Sequence, residues 1–240
     1  MGKAETIVSE RKQFVFEFDH APSLRAEDFL VADNNREAYA WLERWPYWPA
    51  PVLVVHGPPG CGKTHLLHVY LARTAGLALT PADLENRQVV ERLDAASAWA
   101  LDDAETHLGP MQEIALLHVY NRICETKRHL LLTAREPPSR WPVALADLAS
   151  RLRATPVAGI RSPSDPLMRA VLVKLFADRQ LQVDDNVLTY VLSHIERTFD
   201  AARSIVARID ETALHGHRRI TIALVREVLI AGGRAEGGAY

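Results

Sequence analysis

The stretch GPPGCGKT, Gly57 to Thr64, constrains the fold more than any other part of this chain, because it fits the pattern G-x-x-x-x-G-K-[ST]. Such a loop binds phosphate only when a strand enters it and a helix leaves it. Here the β-branched run PVLVVH comes before it and the helical pattern KTHLLHVYLART after it. The glycines let consecutive backbone N–H groups converge on phosphate oxygens, and the helix N-terminus adds partial positive charge. Lys63 then neutralises the β and γ phosphates and Thr64 holds Mg²⁺. The expected phosphate-binding set is Gly57, Pro58, Pro59, Gly60, Cys61, Gly62, Lys63, Thr64 and His65, with Cys61 at a loop position that needs no special chemistry.

A magnesium site of this kind requires a second acidic element. AWALDD supplies Asp102 and Asp103 at the end of an expected strand. Asp102 would face the metal through water, and Asp103 would polarise the attacking water. Two acids ending a strand can equally cap the next helix, and their position downstream of the phosphate loop is what favours the metal reading.

The rest of the first two thirds alternates apolar runs with helical patterns: PVLVVH, GLALT, AWALDD, HLLLTAR and PVAGI. That order predicts a parallel five-stranded sheet flanked by helices, an α/β fold. Ahead of it, Phe29 to Val31 reads as a short extended piece, followed by a helix from about Asn35 to Arg44 that PYWPAP breaks. The tryptophan-rich WLERWPYWP reads as packing that pins a connector onto the sheet. From Asp165 onward only helical spacing remains, which predicts a small all-helical subdomain. The expected division is a tail over 1–24, an α/β subdomain over 25–162, a helical lid over 163–232 and a flexible end over 233–240.

Composition narrows the class further. With 240 residues, 48% hydrophobic and 24% charged, the chain can bury a substantial core. A net charge of -2 implies no bulk attraction to nucleic acid or anionic membrane. Cys61 and Cys124 form no close-spaced pair, which argues against a disulfide scaffold or a cysteine zinc site and fits a reducing, cytoplasmic compartment. No apolar run approaches membrane-spanning length, so no membrane partner is expected. His65 and His68 share a helix face with no third acidic ligand nearby in sequence, and HGHRR reads as a solvated helix-terminal turn.

Taken together, DFLVADNNREAYA, GPPGCGKTHLLH, LDD, LLLTAREPP and LASRL resemble the AAA+ ATPases, and within them the branch of the bacterial replication initiator DnaA and the Hda-type regulators. The resemblance runs from about Asp28 to Ile230. It implies an AAA+ P-loop domain with a helical lid, binding ADP or ATP with Mg²⁺, and an adenine contact at Phe29, Leu30 and Val31, whose alternative is plain core packing. It also makes Thr133 the sensor at the end of its strand. Two positions depart from the pattern: Arg135 stands where DnaA proteins often carry aspartate, and the second-sensor arginine aligns with Asp200, leaving Arg203 or Arg197 as substitutes. An acid beside a triphosphate is repulsive, so the site is expected to hold ADP at least as well as ATP and to have weak or no turnover of its own.

In the same resemblance Arg151 is the arginine finger that reaches a neighbour's nucleotide, with Arg153 as runner-up and a surface salt bridge as the alternative. After the lid the chain ends in a glycine-rich stretch, so no helix-turn-helix domain and no sequence-specific DNA binding are expected. Near the N-terminus QFVFEF puts Gln13, Phe14, Phe16 and Phe18 in an extended segment, with all three rings on one side. Within 11–19 this resembles a sliding-clamp docking peptide; the alternative is an edge strand of the chain's own sheet. The implied function is a cytoplasmic regulator of replication initiation that bridges the clamp to DnaA and stimulates hydrolysis of DnaA-bound ATP, with self-association left open. The alternative is an autonomous AAA+ ATPase, resembling a helicase loader or a DnaA-like initiator without its DNA-binding domain.

Overall fold

A computed structural model describes residues 29–85, 89–216 and 218–236 of the chain. The expected clamp-docking residues Gln13, Phe14, Phe16 and Phe18 lie outside these, as does the end of the glycine-rich tail. The described elements in chain order are α1 (Arg36–Glu43), β1 (Val52–His56), α2 (Lys63–Thr74), β2 (Leu77–Leu79), α3 (Pro81–Glu85), α4 (Val89–Arg92), β3 (Ala98–Leu101), α5 (Pro110–Glu125), β4 (His129–Ala134), α6 (Ala146–Ala154), β5 (Val157–Gly159), α7 (Asp165–Asp178), α8 (Asp185–Leu192), α9 (Phe199–Gly216) and α10 (Ile222–Glu236).

The five apolar runs become five strands, all paired in parallel in the order β2-β3-β4-β1-β5. Strand alternation sorts their side chains into two layers. Val52 and Val54 of β1, Trp99 and Leu101 of β3 and Leu130 and Leu132 of β4 face one cluster, which α5 closes with Leu116, Val119, Tyr120 and Ile123 at helical spacing. Leu53, Val55, Ala98, Ala100 and Leu131 face the other, against Ala38 and Leu42 of α1 and Leu66, Leu67 and Tyr70 of α2. Burial on both faces explains why the central strands read as unbroken apolar runs rather than alternating ones.

After β1 the chain crosses through α2 to the far edge of the sheet and returns through β3 and β4, while β5 flanks β1 on its other side. The C-terminal ends of β1, β3 and β4 therefore lie side by side, which is where a doubly wound sheet presents its ligand site. Helices α7 to α10 bury a third, separate cluster around Met168, Leu172, Phe176, Ile205, Val206, Ile209 and Leu224.

The linker ahead of α1 is tied down by polar bonds. Arg161 donates its N–H to the Asn34 carbonyl (3.0 Å) and its guanidinium to the Asp33 carbonyl (3.0 Å), while Asn34 donates back to the Arg161 carbonyl (3.1 Å). Beyond α1, Trp48 is buried: its indole N–H donates to the Trp41 carbonyl (2.7 Å), and its ring stacks on Tyr70 with centroids 5.5 Å apart. Packing is thus what WLERWPYWP does for Trp48, whereas Tyr47 stays exposed. Among the described residues no helix is long and apolar enough to cross a membrane.

Candidate nucleotide site

The loop from β1 to α2 opens onto a cavity of about 450 Å³ between the linker, the sheet end and the lid, within the size range of small-ligand sites. Its backbone takes conformations that only glycine adopts without strain: Gly60 has φ +68° and Gly62 φ +104°. A Cβ on Gly60 would meet the Thr198 side chain at 2.5 Å, and the Phe199 N–H donates to the Gly60 carbonyl at 3.0 Å. The lid therefore rests directly on the loop. No side chain caps α2 and no acid occupies its first turn, which leaves its N-terminal N–H groups for an anion. Lys63 is buried and donates to the carbonyls of Gly57 (2.9 Å) and Pro58 (3.1 Å).

A chain of hydrogen bonds joins the N-terminus of α2 to the ends of β3 and β4. The Thr64 hydroxyl donates to Asp102 Oδ2 at 2.8 Å, the fully buried Thr133 hydroxyl donates to Asp102 Oδ1, and the Asp103 N–H donates to Thr133 Oγ1 at 2.9 Å. A hydroxyl oxygen and a carboxylate side by side are the hard oxygen donors that Mg²⁺ takes, so these residues fit the metal. β3 ends at Leu101, and Asp103 sits past it at φ +43°, leading a 3-10 turn. The two acids thus follow directly on the end of β3, and the turn brings Asp103 to the cavity wall while Asp102 bonds Thr64.

On the linker side, Asn35 is 2% exposed and shapes the approach: its Oδ1 accepts the Ala32 N–H (2.8 Å) and its Nδ2 donates to the Leu30 carbonyl (2.9 Å). This turn brings Phe29 and Leu30 to the cavity wall. Phe29 stacks on Tyr39, with ring centroids 5.7 Å apart, and meets His65 edge-on. Val31, Gly57, Pro58 and Cys61 are not among the lining residues. The Cys61 side chain is buried beneath the loop, and burial pushes its thiol above the usual value, only partly offset by Lys63. His56, at the end of β1, is held below the usual imidazole value mainly by desolvation.

The lid supplies residues that no motif announced. Val171, Lys174, Leu175 and Asp178 of α7 line the cavity at i, i+3, i+4 and i+7, with Phe199 beside them. Lys174 and Asp178 form an ion pair at 3.0 Å. The spacing marks a face, but nothing local says that this face meets the loop. Asp200 and Arg203 both line the cavity and pair with each other. Arg197 serves elsewhere: it pairs with Asp165 and donates to the carbonyls of Leu192 (2.6 Å) and Ile195 (3.0 Å), so it staples the lid together rather than facing the cavity. The lining charges are Lys63, Arg135, Lys174 and Arg203 against Asp103, Asp178 and Asp200, four cations to three anions.

Arg151 lies on α6, outside the cavity lining, with its Nε 3.0 Å from Asp147 Oδ1 one turn back. Arg153 is exposed on the same helix. Among the described residues no group of three or more His, Cys, Asp or Glu could hold a metal ion, so His65 and His68 build no such cluster.

The family model described as "Hda, lid domain" matches residues 165–229. Over 211 residues the chain is 28% identical to an uncharacterized protein of Haemophilus influenzae, covering 84% of this chain and 89% of that one. Domain III of the Thermotoga maritima replication initiation protein DnaA superposes with a TM-score of 0.74 at 17% identity, covering 88% of this chain and 97% of that one. AMPPCP-bound DnaA from Aquifex aeolicus superposes with a TM-score of 0.66 at 19% identity, covering 82% and 68%.

Proposed function

We propose that this chain, with a lid that matches the Hda lid model over residues 165–229 and a fold that superposes on DnaA, is an Hda-type, DnaA-related AAA+ protein: an adenine-nucleotide-holding regulator of replication initiation that acts on DnaA in trans. The nucleotide is ADP or ATP with Mg²⁺, with ADP held at least as tightly as ATP. Lys63 and the α2 N-terminus take its phosphates, Thr64 and Asp102 its metal, and Phe29 and Leu30 its base. The metal, when bound, neutralises the charge shared by the two terminal phosphates.

The observation that carries this reading is the separation of Arg151 from the cavity. A guanidinium outside the chain's own site supports a partner's nucleotide as its target. Its pairing to Asp147 does not hold it back: an exposed i,i+4 pair contributes only about 0.3–0.5 kcal/mol, whereas an arginine finger at a developing γ-phosphate charge can be worth about 10³ to 10⁵ in rate. Asp200 in the cavity, paired to Arg203, supports weak turnover of the chain's own nucleotide. The docking peptide around Gln13, Phe14, Phe16 and Phe18 would bring this activity to the clamp.

The test is single-turnover hydrolysis of DnaA-bound ATP in the presence of the loaded clamp. Arg151→Ala should cut stimulation by at least about a hundredfold while nucleotide and clamp binding persist. A loss under about threefold moves the role to Arg153 or ends the model. A second reading, an autonomous ATPase, draws on the connected Thr64–Asp102–Thr133 chain. Measurable intrinsic turnover that Asp103→Asn abolishes would favour it.

A further inference from the structure

We propose that Arg135 is a phosphate-binding residue of the cavity, contacting in cis the terminal phosphate oxygens of a bound nucleoside triphosphate. This rests on the reading of the cavity as a nucleotide site and adds a group that the motif pattern, with aspartate at this position, does not supply.

Ala134 pairs with His56 across β4 and β1, and its carbonyl accepts the Gly57 N–H at 3.1 Å, so Arg135 emerges beside the first residue of the phosphate loop. It stands just past the end of β4, two positions after Thr133, whose hydroxyl engages Asp102. It lines the cavity together with Lys63, Thr64 and Asp103, the residues read as holding phosphate and metal, and with the apolar Leu30, Val171 and Leu175, which suit a base. Its backbone is fixed, because its N–H donates to the Glu105 carboxylate from the turn after β3.

Two arginines line the cavity, and Arg203 is paired with Asp200. Among the described residues no carboxylate pairs with the Arg135 guanidinium, whereas Arg140, five residues on, pairs with Glu136 at 2.9 Å. An unpaired planar fork beside a phosphate loop matches phosphate oxygens two at a time. It also offsets Asp103 and Asp200, whose carboxylates repel a γ-phosphate. Arg135 is therefore what keeps ATP admissible in a site that otherwise favours ADP.

Calorimetric titration of the full chain with ATP and with ADP, in the same Mg²⁺ buffer, tests this on the wild type, Arg135→Gln and Arg135→Lys. A charge-assisted contact at an exposed mouth predicts that Arg135→Gln weakens ATP about tenfold and ADP less than about threefold, that Arg135→Lys falls between, and that added salt shrinks the difference. An unchanged ATP-to-ADP affinity ratio in Arg135→Gln overturns the proposal; if that variant fails to fold, a wild-type ratio in Arg135→Lys, with the effect of salt unchanged, does so. Failure of the wild type to bind either nucleotide would instead sink the underlying reading of the cavity.

Discussion

Lys63 is 6% exposed, and a buried ammonium persists only with acceptors around it. The carbonyls of Gly57 and Pro58 provide them, so the loop holds its lysine in place with neutral dipoles. Phosphate oxygens make stronger, charge-assisted partners for the same ammonium, and exchange between the two costs the fold little. Lys63→Ala should then reduce nucleotide affinity by at least about a hundredfold in calorimetry while the thermal midpoint moves little. The motif made the placement of Lys63 and Thr64 at the cavity legible, because the pattern spans eight adjacent residues between one strand and one helix. It left Asn35 unread: its role lies in bonds to Leu30 and Ala32 that only the folded linker creates.

Helix α6 shows what an element needs beyond its own sequence. It starts without a side-chain cap of its own, and Glu113 of α5, 4% exposed, fills that place: its two carboxylate oxygens accept the N–H groups of Ala144 (3.0 Å) and Leu145 (2.7 Å). The same carboxylate puts negative charge at the helix N-terminus, where the macrodipole favours it. Glu113→Ala leaves two N–H groups without their acceptor, at about 1–3 kcal/mol each if they stay dry, so the chain should lose roughly 2–4 kcal/mol. Denaturant melts would show this, and a loss under about 0.5 kcal/mol would mean that water replaces the carboxylate. α9 has a local cap instead, with Thr198 Oγ1 accepting the Ala201 N–H at 3.1 Å. The strands were legible because β1, β3 and β4 are buried on both faces and leave unbroken apolar runs. The Glu113 bond, 31 residues long in sequence, leaves no such trace.

The molecule as a whole is an α/β core and a helical lid with separate apolar clusters, joined where Thr198 and Phe199 sit on the loop at Gly60. The cavity's far wall therefore depends on lid packing that never touches a ligand. Phe176, 1% exposed at the centre of the lid cluster, lies next to the lining residue Leu175. Phe176→Ala should cost about 3–5 kcal/mol of lid stability. Nucleotide affinity should fall with it although every loop residue is intact, read by a thermal melt beside a calorimetric titration. An unchanged affinity would show that the lid wall does not contribute to binding.

The strand, glycine loop and helix around Gly57 to Thr64, the two acids just past β3, the parallel sheet and the helical end were all determined by the sequence alone, because each is written in neighbouring residues: a fixed spacing, an apolar run, a 3.6-residue period. Only the tertiary structure decided that Arg203 faces the cavity while Arg197 staples the lid, that α7 turns Val171, Lys174, Leu175 and Asp178 inward, and that Arg135 lines the same cavity as Lys63 and Thr64 with no carboxylate partner among the described residues. Arginines close in sequence are chemically identical, and the difference between a lid staple and a cavity wall is set by which carboxylates the packed helices bring within reach, a matter of contacts between residues far apart along the chain.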